Sequence, residues 1–171
     1  MIAAAAHLRL VLLLALFGLV AGCARMDEAG MRARLERWFS VGETQYFSAR
    51  SGCAAGMFAL VDDSIGSEMA VTGSAPEMVH ALGRGGLAAL DDRAQAPDAA
   101  LIALANADRA TGYALRRAGL EGGQCMNAAL QRAFYDALTA PAAVLAFDAQ
   151  EGMVILLDRE KKVLIAAVGR K

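Results

Sequence analysis

Apolar residues recur along the chain with two different periods, and the switches between them divide it into elements. Met31, Leu35, Trp38 and Phe39 stand at i, i+4, i+7 and i+8, the spacing of one helical face. Asp27 is placed to cap that helix, and Glu28, Arg32 and Glu36 step along its solvated side. After a connector near Gly42, residues 45–48 predict a short extended piece, and 53–61 a strand that stops at Asp62-Asp63-Ser64. Residues 69–72 predict a second strand, closing a hairpin across 62–67. Ser74-Ala75-Pro76-Glu77 opens a helix with Val79 and Leu82 on its apolar side. Leu87 and Leu90 extend that side past Gly83-Arg84-Gly85-Gly86, which should break or bend the helix. Pro97-Asp98 opens another helix through Leu101, Ile102 and Leu104, divided at Gly112 from a segment that ends near Gly119 or Gly122.

The clearest helix places Met126, Leu130, Phe134 and Leu138 on one face and stops at Pro141. Three short apolar runs follow, over 143–147, 153–157 and 163–168, separated by polar turns. They predict an antiparallel meander. Helices beside hairpin strands make the expected class α+β, with helices on one face of an antiparallel sheet. No repeat or second boundary interrupts residues 27–171, so a single domain is expected there.

The start of the chain has a different pattern. His7 and Arg9 precede an apolar run from Leu10 to Gly22, and charge returns at Arg25, Asp27 and Glu28. That run is shorter than the ~20 residues a spanning helix needs and has the length of a secretory h-region. Val20-Ala21-Gly22-Cys23 resembles the lipobox of bacterial lipoproteins, a branched residue and two small ones before an obligatory cysteine. The resemblance covers these 23 residues alone. It implies that 1–22 are a signal peptide, that the Cys23 thiol receives a diacylglycerol, and that 23–26 form a very short tether. Several acyl chains anchor far more durably than one. The expected partner is therefore the membrane, and the domain faces the periplasm close to its surface. Ala24 stands where an aspartate would favour retention at the inner membrane, which by the same resemblance favours the outer membrane. An uncleaved membrane helix, or an ordinary secretory peptide with an incidental cysteine, is the competing reading.

Export changes how the other two cysteines are read. Cys53 and Cys125 are an even pair in an oxidising compartment, too far apart for a CxxC redox or zinc motif, and a bridge between them is expected. The alternative is a nucleophilic thiol served by His80, the one histidine after Cys23.

Charge removes some functions. With 17 Lys+Arg against 18 Asp+Glu the net charge is −1, without the basic excess of a nucleic-acid binder. No GxSxG, HExxH, SxxK or Walker motif occurs, and Gly83–Gly86 is not the GxGxxG of a dinucleotide site. Asp62-Asp63 and Asp91-Asp92 lack calcium-loop spacing and read as turn aspartates. The methionines are scattered and read as core filling. Arg25, Arg32, Arg34, Arg37 and Arg50 could meet anionic lipid near the anchor, but Asp27, Glu28, Glu36 and Glu43 interleave with them and leave a solvated face.

No catalytic residue, cofactor or metal ligand is therefore assigned. The expectation is a non-enzymatic envelope lipoprotein, an accessory or docking module for another envelope component. A small periplasmic hydrolase or transferase, and a carrier of an apolar ligand, are the alternatives.

Overall fold

The three apolar runs at the C-terminus become the middle of the sheet. The computed structural model describes residues 26–169, and there they form β5 (Val144–Asp148), β6 (Met153–Asp158) and β7 (Val163–Val168), the expected antiparallel meander. Ahead of them come α1 (Glu28–Leu35), β1 (Phe39–Arg50), β2 (Cys53–Ile65), β3 (Ala70–Thr72) and α2 (Ala75–Gly85). Then follow β4 (Leu87–Leu90), α3 (Pro97–Ala107), α4 (Arg109–Gly123) and α5 (Ala128–Thr139). The strand order is β1-β2-β7-β6-β5-β4-β3. The class is α+β, a small domain with helices packed on the sheet. Residues 1–22, where a signal peptide is expected, Cys23 and Arg25 lie outside the described residues.

Both faces of the sheet are covered, and the strands show why. Along β6, Val154 and Leu156 join one apolar cluster, while Met153, Ile155 and Leu157 join another. Along β7, Ile165 and Ala167 alternate with Leu164 and Ala166 in the same way. Period two puts successive side chains on opposite faces, so continuous apolar runs require a cover on each. The first face is covered by α2, α3, α4 and α5, through Met78, Leu104, Leu115 and Leu130 among others. The second is covered by α1, through Met31 and Leu35, with Trp38 and Phe39 just beyond it. The β1–β2 hairpin is much longer than the other strands and its register shifts three times between Phe39 and Tyr46. Such bulges bend a strand, and Val41, Phe58, Leu60 and Ile65 add to the second cluster.

Several elements depart from the sequence reading. The helical spacing through Trp38 and Phe39 outlasts the helix, because α1 ends at Leu35 and Phe39 already pairs with Ile65. The expected hairpin across 62–67 does not form. β2 runs on through Asp62 and Asp63, and its hairpin partner is β1, joined at Ser51-Gly52 with Gly52 at φ 94°. β3 sits at the far edge and pairs with β4 in parallel. One parallel pair thus interrupts the expected antiparallel sheet, because α2 carries the chain back to the end where β3 began. Leu87 and Leu90 belong to β4 rather than to the preceding helix, since Gly86 ends α2 in the left-handed conformation at φ 70°.

Candidate functional site

The residues that sequence reading singled out for chemistry do not converge. Cys53 and Cys125 are bridged, with Cα atoms 5.8 Å apart, so neither sulfur is a thiolate nucleophile. The bridge ties the first residue of β2 to the connection between α4 and α5, where the Tyr46 hydroxyl donates to the Cys125 carbonyl at 3.1 Å. His80 is exposed on α2, and Gly83–Gly86 is that helix's C-terminal turn. Among the described residues no cluster of three or more His, Cys, Asp or Glu could hold a metal. Met31, Met69, Met78, Met126 and Met153 are buried in the two clusters.

The two acidic pairs do meet through a residue that the sequence reading passed over. Arg159, in the β6–β7 turn, donates to both carboxylate oxygens of Asp91 at 2.9 and 2.8 Å and lies 3.5 Å from Asp63. The guanidinium's hydrogen bonds hold the Asp91 carboxyl below its ordinary value. This pairing contributes stability that is complete above the unfolded aspartate value of about 3.9 and is lost as pH falls through the folded value. It is a structural clamp on the end of β4.

Two cavities stand out, one on the helical face and one at the end of the sheet between α1 and α2. The larger, about 530 Å³, opens on the helical face. Its walls are Leu101 of α3, Leu115 and Gly119 of α4, and Phe134 and Leu138 of α5, and its floor reaches Val154 of β6. It exists because α5 packs on α3 and β6 and stands apart from α4. Arg116, Gln124 and Gln131 line it as well, and Arg116 forms no ion pair with a described residue. Leu120 lines the same groove and is 67% exposed, with Ile102 and Tyr113 exposed on the neighbouring helix surfaces. Large apolar side chains grouped around an open groove are the usual character of a contact or ligand site.

The glycines of α4 separate packing from opening. A Cβ at Gly112 would stand 2.4 Å from Cα of Ala105, and one at Gly122 would stand 2.7 Å from Cβ of Ala167. These two let α4 lie close against α3 and β7. A Cβ at Gly119 meets only Phe134 at 3.7 Å and Val154 at 4.0 Å, ordinary contact distances, and it lies in the groove. Helical glycine costs about 0.5–1 kcal/mol relative to alanine, and no close approach requires it here. Gly119→Ala should therefore raise stability by about that amount, whereas Gly112→Ala should lower it by about 1–3 kcal/mol through overpacking. Chemical denaturation of the two variants checks the opposite signs.

The smaller cavity, about 380 Å³, lies across the sheet's end near α1. Arg34, Arg37 and Trp38 line it from the end of α1, Arg84 from α2, and Asp148 and Gln150 from the β5–β6 turn. Asp148 is 1% exposed and accepts from Arg34 Nε at 2.5 Å and from the backbone amides of Gln150 and Glu151 at 3.0 and 3.2 Å. Of the other arginines in this stretch, Arg32 pairs with Glu36 at 2.8 Å as the interleaved charges suggested, while Arg37 meets the distant Glu68 at 3.4 Å with both side chains more than half exposed. Neither cavity was legible in the sequence, since each is assembled from segments far apart along the chain.

The chain matches no protein-family model, no curated protein and no solved structure.

Proposed function

We propose that this protein is a lipid-anchored envelope lipoprotein that works by docking, with the helical-face groove as its contact site. The observation that supports the reading is the placement of the groove relative to Met26, the first described residue. Met26 packs with the α1-side cluster, on the face opposite the groove. With Cys23 acylated and only three residues before Met26, the α1 face turns toward the membrane. The groove then faces the periplasm, where another envelope component can reach it. An apolar cleft between helices accepts an amphipathic segment through a few anchoring side chains.

The disulfide is in keeping with an exported domain. It also argues against a thiol hydrolase, because both candidate sulfurs are bonded to each other. A carrier of an apolar ligand is the second reading, favoured by the depth of the groove, whose floor is a sheet residue rather than a helix surface. Native mass spectrometry of protein purified from its own host separates the two, since a carrier retains a small extra mass.

The anchor has its own test. In cells fed an alkyne-tagged fatty acid, the wild-type chain should become labelled and sediment with membranes, by preference the outer membrane. Cys23→Ala should lose the label and the membrane association together. A labelled Cys23→Ala protein would contradict the lipobox reading.

A further inference from the structure

The cavity beside α1 gathers hydrogen-bond donors that the protein itself leaves underused. Arg34 is held in place by Asp148, with Glu151 3.5 Å from another of its nitrogens. Arg37 reaches Glu68 only at 3.4 Å, with both side chains more than half exposed. Arg84 makes no ion pair or hydrogen bond with a described residue, and it shares the cavity wall with Arg34 and Arg37 as well as with the carboxylates of Glu68 and Asp148, so the lining carries three guanidiniums against two carboxylates. Trp38 is 3% exposed, and its indole N–H is one of two buried side-chain donors without a hydrogen bond among the described residues. The guanidinium carbons of Arg34 and Arg37 lie 5.6 and 5.7 Å from its ring centroid.

We infer that this cavity binds a phosphate group, drawn in by Arg84 and Arg37 and steered by the fixed guanidinium of Arg34. Each guanidinium carries five N–H donors in a planar fork, and Asp148 and Glu151 engage two of the three nitrogens of Arg34. A carboxylate satisfies one such fork, while the non-bridging oxygens of a phosphate can face two or three. The volume of about 380 Å³ leaves room for the organic group that the phosphate carries. The phosphate can belong to a soluble monoester or to a phospholipid headgroup. The headgroup source rests on the anchored reading, which turns α1, and with it the α1 wall of the cavity, toward the bilayer.

Trp38 is the only tryptophan of the chain, so its fluorescence reports on this cavity alone. The full-length protein in neutral detergent is titrated with inorganic phosphate and with glycerol 3-phosphate, against sodium chloride at matched ionic strength. Reconstituted protein is then compared in phosphatidylglycerol and phosphatidylcholine vesicles. Calorimetric titration with the same soluble ligands runs in parallel. The expected result is a saturable response to phosphate compounds or to phosphatidylglycerol, but not to chloride. Arg84→Gln should weaken it by about tenfold or more, the loss of a charge-assisted contact, whereas Arg50→Gln on the distal hairpin should not. A response to soluble phosphates shows the pocket whether or not Cys23 is acylated, and a response to phosphatidylglycerol alone identifies the headgroup as the source. Equal, unsaturating responses to phosphate and chloride with no heat of binding would overturn the inference. So would a saturable response that Arg84→Gln leaves unchanged.

Discussion

Replacing Cys53 and Cys125 together by alanine should lower the free energy of unfolding by about 4 kcal/mol, the value expected for closing a loop of this length. The bridge spans 72 residues, which include β3, β4 and three of the four helices on the groove side. Without it the unfolded chain regains the freedom that the loop removed, while the folded contacts change little. Domains of this size are stable by about 5–15 kcal/mol, so the loss is a large share of the total. Denaturant titration of the oxidised protein, the reduced protein and the double variant measures it, and reduction alone should reproduce most of the effect. The loss should also be local. Cys125 sits between Gln124 and Met126, both on the groove wall, so amide exchange should quicken first at the α4–α5 connection. A change below about 1 kcal/mol, with unaltered exchange there, would show that the helix layer holds itself in place.

Asp148→Ala should cost about 3 kcal/mol. The carboxylate is almost fully buried and accepts from one guanidinium and two backbone amides, so its removal leaves three donors without their acceptor. Breaking a buried pair by deleting one partner typically costs about 3–5 kcal/mol, because the other charge remains. The low end applies because Arg34 is 22% exposed and water can reach it. The same residue joins α1 to the meander across 114 positions of sequence. A double-mutant cycle with Arg34→Met isolates the ion pair, and its coupling energy should exceed about 1 kcal/mol. Additive single and double effects would mean that Asp148 acts only through the turn amides of Gln150 and Glu151.

What the sequence revealed of this fold depended on whether each signal was local. The meander was legible because its runs are apolar at every position and are separated by short polar turns. The α5 helix was legible from Met126, Leu130, Phe134 and Leu138, and its Asn127 cap accepts from the Leu130 amide as a cap should. The hairpin partner of β2 was not, because Asp62 and Asp63 look like a turn yet lie on an exposed strand end. The two-residue turn that does exist, Ser51-Gly52, is a weaker signal. Likewise β4 reads Leu-Ala-Ala-Leu, which carries no period of its own, and only Gly86 marks the change from helix to strand. The candidate sites were less legible still. Arg84 was embedded in a glycine cluster that pointed to turn chemistry, and Gly119 could not be told apart from the packing glycines at 112 and 122 until a neighbour was visible. The disulfide was within reach because a compartment and an even count suffice to suggest it.

The most direct test of the docking account is site-specific photocrosslinking from the groove, in the full-length protein and in its own cells. A photoreactive residue at Leu120 should give a discrete adduct with an envelope component, and one at Glu68, exposed near the α1-side cavity, should not give the same adduct. Gly119→Leu, which fills the groove, should abolish that adduct while the protein remains folded. An adduct at Leu120 that survives Gly119→Leu, or the absence of any adduct from the groove, would contradict the claim that this cleft is where the protein meets its partner.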